Sequence, residues 1–196
     1  MPDPRHEITG IILAGGMARR MGGIDKGLLL YRGQPLASHA LKTMETITGS
    51  ICISANRNQA RYAVFGYPVV SDTVTGYAGP LAGLLAGMKS SDTPYVLSIP
   101  CDCPFISAEV LTRLRDAAAD AEIVTLHDGS RTHPVFMRVN RNLADSLENY
   151  LAQGQHKVIA WIERHRYQMV DCSDLASCLR NINTPQDLAA VNRDAD

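Results

Sequence analysis

The sequence predicts an α/β fold: a single-domain, Rossmann-like three-layer sandwich with a mostly parallel sheet and helices on both faces. Short apolar runs without helical periodicity recur along the chain, and amphipathic segments with helical spacing separate them. This alternation at short intervals is typical of a parallel sheet covered on both faces. The 196 residues, 45% of them hydrophobic, are enough for one domain with a sizeable core, and we expect a single domain over 1–196.

The predicted strands are apolar runs bounded by polar or turn-forming residues. In chain order they cover 8–14, 51–55, 69–72, 95–99, 122–126, 135–139 and 167–170. A short extended segment is expected at 27–31, a turn at 32–35 and a polar loop at 127–134. The pattern is regular as far as residue 126 and less regular beyond it.

The predicted helices follow from apolar residues at helical spacing and from their capping residues. They cover 36–47, a weak segment before 69, and then 80–88, 108–118, 143–151, 158–162 and a last helix from 185. Ser107 and Thr184 are suited to the N-cap positions of two of them. The small residues Gly83 and Gly87 indicate that either a neighbouring strand or a nucleotide approaches the third helix closely.

Composition and charge exclude several classes of function. The formal net charge is -1, so no basic field draws the chain to nucleic acid or to a membrane surface. No signal peptide and no membrane-spanning apolar run is evident, so a cytoplasmic location is expected. Five cysteines, with 101 and 103 as the one close pair, suit neither a disulfide framework nor a structural zinc site.

The first predicted strand leads into a loop rich in glycine and cations. This loop contains Gly15, Gly16, Gly22, Gly23, Arg19, Arg20 and Lys26. Glycine lets a ligand approach the backbone N–H groups, and cations neutralise a polyanion. The spacing fits neither a Walker loop nor a dinucleotide fingerprint. We therefore expect a phosphate chain to bind here, with Lys26 neutralising a phosphate and Arg20 gripping one through two hydrogen bonds.

Polar residues also follow three of the other predicted strands. Asn56, Asp72 and Asp102 stand at the ends of such runs, where an open parallel sheet binds its ligands. Asp102 could be a Mg²⁺ ligand beside substrate phosphates, or a turn aspartate. Asp25 would position Lys26 or face solvent.

A second polar pair stands near the end of the chain. Asn181 and Asn183 flank Ile182 in an extended segment, so both amides should face the same side. They could bind a heteroaromatic ring or another polar ligand, or they could close a loop. His127 and His133 do not form a convincing metal pair, and no side chain is indicated as a nucleophile.

Several motifs together resemble those of known enzymes. The segment from Leu13 to Lys26 resembles the signature of nucleotidyltransferases of the nucleoside-diphospho-sugar pyrophosphorylase type. The further motifs are Gly79-Pro80-Leu81-Ala82-Gly83, Pro100-Cys101-Asp102-Cys103-Pro104, His133-Pro134-Val135 and Asn181-Ile182-Asn183-Thr184-Pro185. With these the chain resembles the molybdenum cofactor guanylyltransferases, the MobA family, over nearly its whole length.

The resemblance implies a Mg²⁺-dependent enzyme that transfers GMP from GTP to molybdenum-bearing molybdopterin, forming the guanine dinucleotide cofactor and pyrophosphate. It implies a nucleotide-binding half at about 8–105 and a pterin-binding half at about 106–192. The nucleotide residues it implies are Leu13, Ala14, Gly15, Gly16, Gly22, Lys26, Ser54, Asp72, Gly79, Gly83 and Asp102. Lys26, Asp102 and Arg20 would be catalytic, Asp102 would hold the metal, and Asn181 and Asn183 would contact the pterin.

Two residues depart from the family pattern, and two other functions stay open. Ser54 stands where relatives can carry asparagine, and Cys103 where threonine is common. One alternative is a CTP-dependent cytidylyltransferase acting on the same pterin, and the other is a non-catalytic nucleotide-binding protein of the same fold. The resemblance also implies transient contacts with other cofactor-assembly proteins and with recipient molybdoenzymes.

Overall fold

The computed structural model of the chain describes residues 4–14, 24–72, 79–118 and 120–193. The strands are β1 (Ile8–Leu13), β2 (Leu30–Tyr31), β3 (Gln34–Pro35), β4 (Ser50–Ser54), β5 (Val69–Val70), β6 (Tyr95–Pro100), β7 (Ile123–His127), β8 (Thr132–Asn140) and β9 (Tyr167–Asp171). The α-helices are α1 (Leu36–Glu45), α2 (Gln59–Ala63), α3 (Pro80–Ser90), α4 (Ala108–Asp116), α5 (Ala144–Ala152), α6 (Val158–Ile162) and α7 (Pro185–Arg193). Short 3₁₀ helices cover Pro4–Glu7, Lys26–Leu28, Arg141–Leu143 and Ser173–Leu179.

The central sheet has seven strands in the order β5-β4-β1-β6-β8-β7-β9. Strands β5, β4, β1 and β6 are parallel neighbours, and β9 runs parallel to β7. Strand β8 is antiparallel to both of its neighbours, β6 and β7. The prediction of a mostly parallel sheet is confirmed, and the carboxyl ends of four adjacent strands meet at one edge.

Helices cover both faces of this sheet because its strands alternate their side chains between two cores. Ile12 of β1 packs in one core with residues of α1, α2 and α4. Ile11, the preceding residue, packs in the other core with residues of α3, α5 and α6. Both isoleucines are fully buried. The predicted three-layer arrangement is therefore confirmed.

Two local predictions were wrong. The segment 27–31 is not extended throughout, because Lys26–Leu28 forms a 3₁₀ turn before the β2–β3 hairpin begins. The polar loop expected over 127–134 is shorter, because β8 already begins at Thr132 and pairs with β7. A tight turn at 128–131, held by the Asp128 carboxylate, connects these two strands. None of the helices in the described ranges has the length and apolarity that a membrane span requires.

The end of the chain packs back onto the β2–β3 hairpin. Ile182 is fully buried in a small core with Tyr31, Leu36 and Val191. The Thr184 hydroxyl caps α7 by accepting a hydrogen bond from the Asp187 backbone N–H, as its spacing predicted. This packing brings the segment 181–183 to the carboxyl edge of the sheet.

Candidate functional site

The polar residues that follow β4, β5 and β6 lie at the shared carboxyl edge. Asn56 follows β4, Asp72 follows β5 and Asp102 follows β6. The carboxyl end of β1 is tied to its neighbours, since the Ala14 N–H donates to the Ser54 carbonyl at 2.8 Å and the Cys101 N–H donates to the Leu13 carbonyl at 3.1 Å. The predicted convergence of polar groups on this edge is confirmed for the described strands.

The centre of the site is an ion pair with two asparagines around it. Lys26 Nζ donates to Asp102 Oδ2 at 3.0 Å and to Asn183 Oδ1 at 2.8 Å. Asn181 Nδ2 donates to the second carboxylate oxygen, Asp102 Oδ1, at 2.9 Å. The side chains of Lys26 and Asp102 are 21% and 13% exposed to solvent. A cation and an anion are thus held together while both remain partly exposed to solvent.

The two asparagines face the same side, as the alternation of an extended segment predicted. Between them, Ile182 points into the core, and its N–H donates to the Asp102 backbone carbonyl at 2.9 Å. The Asp187 carboxylate accepts the backbone N–H groups of Asn183 and Thr184, both at 2.9 Å. The segment that carries the asparagines is therefore fixed by its own backbone as well as by its side chains.

A second polar pair lies at the ends of β4 and β5. Asn56 Nδ2 donates to Asp72 Oδ2 at 2.7 Å, and the Asp72 N–H donates back to Asn56 Oδ1 at 2.9 Å. The other oxygen, Asp72 Oδ1, is buried and has no hydrogen-bond partner in the described part of the chain. Burial raises the pKa of Asp72, and the bond from Asn56 offsets part of that rise. A buried acceptor without a donor is unfavourable, which makes this oxygen the unsatisfied group at this end of the sheet edge among the residues described.

The glycines of α3 have different surroundings. Gly79 precedes the helix with a φ of 68°, in the left-handed region, and its α-carbon faces open space. Gly83 is buried, and a Cβ there would lie 2.5 Å from Ser54 Oγ and 3.0 Å from Leu13 Cδ2. A Cβ on Gly87 would lie 2.3 Å from Ile11 Cδ1. For both buried glycines, the close approach of neighbouring strands is sufficient to explain why no side chain fits at that position.

Ser54 is buried to 1% exposure against α3. Its predicted contact with a nucleotide, like that of Gly83, stays a prediction. Four other predicted site residues, Gly15, Gly16, Arg20 and Gly22, lie outside the described residues.

One residue in the site has bonding partners that the sequence did not indicate. Asp25, expected to position Lys26 or to face solvent, is 9% exposed, and its carboxylate bonds to the region around α2. Its Oδ1 accepts a hydrogen bond from the Tyr62 hydroxyl, and its Oδ2 accepts one from Asn58 Nδ2 at 3.0 Å. No local pattern could have revealed this, because Asn58 and Tyr62 are far from Asp25 in the sequence.

Two thiols near this edge are buried and neutral, and two imidazoles have structural partners. Burial, and secondarily the Asp102 carboxylate, raise the pKa of Cys101 and Cys103 well above its ordinary value, so both thiols are neutral. His133 Nε2 lies 2.6 Å from the Asp128 carboxylate, and His127 Nδ1 accepts the Gly129 N–H at 3.0 Å. Among the residues described, no three His, Cys, Asp or Glu side chains are grouped so as to hold a metal ion.

Comparison with known proteins identifies the family. Residues 10–169 match the MobA-like NTP transferase domain. The chain belongs to this family. Two MobA-like relatives are both named molybdenum cofactor guanylyltransferase. The protein of Shewanella halifaxensis is 42% identical over 182 residues, which is 92% of this chain and 91% of the relative. The protein of Ralstonia nicotianae is 45% identical over 196 aligned residues, which is 94% of this chain and 96% of the relative.

Solved structures confirm the fold of this MobA-like chain. The molybdopterin-guanine dinucleotide biosynthesis protein A of Archaeoglobus fulgidus superposes with a TM-score of 0.78 at 22% identity, covering 95% of this chain and 98% of the other. A 4-diphosphocytidyl-2C-methyl-D-erythritol synthase of Anaerococcus prevotii superposes with a TM-score of 0.73 at 15% identity, covering 98% and 99%. These likenesses concern the fold, which enzymes with different named products share. The chain is a nucleotidyltransferase of the MobA-like type.

The donor set of this MobA-like site suits a hard divalent cation. A carboxylate offers about four lone-pair sites, and Lys26 and Asn181 use one on each oxygen of Asp102. The Cys103 thiol adds only a 4.0 Å contact. Mg²⁺ is commonly held by one or two carboxylates, with substrate phosphates and water as its other ligands. Asp102 therefore fits as the protein ligand of such an ion.

Proposed function

We propose that the protein transfers GMP from GTP to the terminal phosphate of molybdenum-bearing molybdopterin and releases pyrophosphate. The observation that carries this proposal is the link between the first motif and the last one: Lys26 bonds to Asn183, and Lys26 and Asn181 both bond to the Asp102 carboxylate. The resemblance assigns the first motif to GTP and the second to the pterin. The curated relatives that align with more than nine-tenths of this chain are named for guanylyl transfer in molybdenum cofactor synthesis.

The proposed reaction needs no nucleophilic side chain. An oxygen of the pterin's terminal phosphate attacks the α-phosphorus of GTP, and the bond between that phosphorus and the β-phosphate oxygen breaks. The bonding electrons leave with pyrophosphate. The attacking phosphate is already an anion, so the protein contributes positioning and charge neutralisation, as in other phosphoryl transfers.

Lys26 is equipped to neutralise the triphosphate. Its ammonium group has three N–H donors, and two of them go to Asp102 and Asn183. The remaining N–H can donate to a phosphate oxygen while the other two hold the ammonium in place. Asp102 would hold Mg²⁺, which would neutralise further charge on the phosphates.

The asparagine pair presents one donor group and one acceptor group to the second substrate. Asn183 Oδ1 accepts a hydrogen bond from Lys26, so Asn183 Nδ2 is left to donate to the substrate. Asn181 Nδ2 donates to Asp102, so Asn181 Oδ1 is left to accept from the substrate. A pterin carries adjacent N–H donors and nitrogen or carbonyl acceptors, so a mixed pair suits its edge. We infer that Lys26 and Asp102 fix the orientation of both amides.

The nucleoside would lie toward β4 and β5. Asp72 Oδ1 is the buried acceptor that a ribose hydroxyl or a base N–H could satisfy. Leu13, Ala14 and Gly79 would border the same edge, and the glycine loop at 15–23 would complete the phosphate contacts. The chain would then divide by function into a nucleotide half at about 8–105 and a pterin half at about 106–192.

Pyrophosphate release tests the proposal. The purified protein is incubated with Mg²⁺ and either GTP or CTP, in the presence and absence of molybdenum-bearing molybdopterin. We expect release only with GTP and the pterin together. A preference for CTP would show a cytidylyltransferase instead, and nucleotide binding without any pyrophosphate would show a non-catalytic protein. Contacts with cofactor-assembly proteins and recipient molybdoenzymes stay predictions that this assay does not address.

A further inference from the structure

The backbone around Lys26 is held by side chains that the reaction itself does not use. Asp25, just before the lysine, is nearly buried, and both of its carboxylate oxygens accept hydrogen bonds from Asn58 and Tyr62. A buried carboxylate without such donors would be strongly unfavourable. The two bonds therefore attach the segment that carries Lys26 to the region of α2.

Gly27, the residue after Lys26, is packed closely against Tyr62 and Cys101. A Cβ on Gly27 would lie 2.4 Å from the Tyr62 hydroxyl oxygen and 3.1 Å from Cys101 Sγ. The Tyr62 hydroxyl thus donates to Asp25 and packs directly against Gly27. The Leu29 N–H closes the turn onto the Lys26 carbonyl at 3.0 Å. The α-carbon of Lys26 is therefore fixed from both sides.

Asn58 adopts a conformation that favours this contact over helix capping. It precedes α2 with a φ of 51°, in the left-handed region that asparagine tolerates better than most residues. At this position an asparagine side chain commonly caps its own helix, but here it makes no capping bond and donates to Asp25. Tyr62, on the next turn, is fully buried.

We propose that Tyr62 and Asn58 are positioning residues for Lys26, acting through Asp25 and Gly27. This inference rests on the proposed function, in which Lys26 contacts the triphosphate. The lysine side chain has four rotatable bonds, so a fixed backbone lowers the entropic cost of holding its ammonium against Asp102, Asn183 and a phosphate together. The same segment carries Asn56, so the strand end that would meet the nucleoside also sets the position of the phosphate-binding lysine.

The test compares two tyrosine-to-phenylalanine variants. Tyr62→Phe removes the hydroxyl and keeps the ring, and we expect the kcat/KM for GTP to fall about tenfold, with a raised KM for GTP and a weaker Kd for GTP with Mg²⁺. Tyr67→Phe is the matched control, because the Tyr67 hydroxyl bonds to the exposed Glu45, away from Lys26. We expect Tyr67→Phe to stay within about twofold of the wild type. Asn58→Gly, which tolerates the positive φ and removes the second donor, should act in the same direction as Tyr62→Phe.

A double-variant cycle separates positioning from a general loss of structure. If Tyr62 acts through Lys26, Tyr62→Phe causes no further loss in a Lys26→Met background. Equal effects of Tyr62→Phe and Tyr67→Phe would overturn the inference, and so would a full further loss in the double variant. If the wild type binds GTP but releases no pyrophosphate, the proposed function fails and the Kd comparison still decides the positioning role. If it binds no nucleotide, both fail.

Discussion

The substitution Asp102→Asn separates the chemistry of the site from its stability. It keeps the size of the side chain and removes its charge. Both carboxylate oxygens accept hydrogen bonds, from Lys26 Nζ at 3.0 Å and from Asn181 Nδ2 at 2.9 Å. The new amide can keep only one acceptor. Its NH₂ group would then face either the ammonium or the other amide, so one of the two bonds is lost in either orientation.

The cost to stability should be modest. Hydrogen bonds to charged groups contribute about 1.5–3 kcal/mol, but an exposed ion pair contributes only about 0–1 kcal/mol. This pair lies between those cases, with 21% and 13% of its side chains exposed. We expect the free energy of unfolding to fall by about 1–2 kcal/mol, which leaves a protein of ordinary stability folded.

The cost to activity should be larger. Removing one preorganised charge-stabilising group typically lowers kcat by about 10²- to 10³-fold, or about 2.7–4 kcal/mol. The substitution would also remove the carboxylate proposed to hold Mg²⁺. We therefore expect kcat/KM for GTP to fall at least about a hundredfold, with half-saturation at a higher Mg²⁺ concentration. A folded but nearly inactive protein is the expected result.

Pyrophosphate release, measured over a range of Mg²⁺ concentrations, and unfolding in urea provide the two readouts. Asp116→Asn is the matched control, since Asp116 on α4 is exposed and pairs with Arg115. If Asp102→Asn kept kcat/KM within about threefold of the wild type, with an unchanged Mg²⁺ requirement, the metal and charge roles of Asp102 would be refuted.

Three further predictions test other parts of the structure. Asn181→Ala should raise the KM for molybdopterin about tenfold and the KM for GTP by less than about threefold; steady-state kinetics with each substrate varied would show this, and equal changes would contradict the assignment to the pterin. Gly87→Ala should lower the free energy of unfolding by about 1–2 kcal/mol, because overpacking against Ile11 outweighs the helix preference of alanine. Urea unfolding measures this loss, and adding Ile11→Val to the Gly87→Ala variant should restore part of it. The hydrogen bond from His133 holds the pKa of Asp128 below its usual range, so this carboxylate stabilises the fold above the unfolded pKa of about 3.9, and that stabilisation is lost as the pH falls below it. The difference in unfolding free energy between the wild type and Asp128→Asn should shrink in acid, and a constant difference would count against the pKa shift.

The sequence was sufficient to predict those elements whose structure depends on a local pattern of residues. Buried strands such as β1 and β6 read as compact apolar runs, and the alternation of an extended segment placed Asn181 and Asn183 on one side. The sequence was not sufficient to predict features that depend on contacts between residues far apart in the chain. The hydroxyl of Tyr62 meets Asp25 through a contact between residues 37 positions apart, which no local pattern shows. The choice between a strand and a nucleotide beside Gly83 depended on where Ser54 lies. The strand β8 was predicted only from residue 135, because Pro134 and polar residues lie at its true start.

The position of the asparagine pair is set by packing that does not depend on a ligand. Ile182, between the two amides, is buried with Tyr31, Leu36 and Val191, and its N–H is bonded to the Asp102 carbonyl. A site whose contacts are already fixed spends little binding free energy on ordering itself. The small core between α7 and the β2–β3 hairpin therefore has a functional consequence. A change that loosens it would misplace the amides that face the pterin and, through Lys26, the cation that faces GTP.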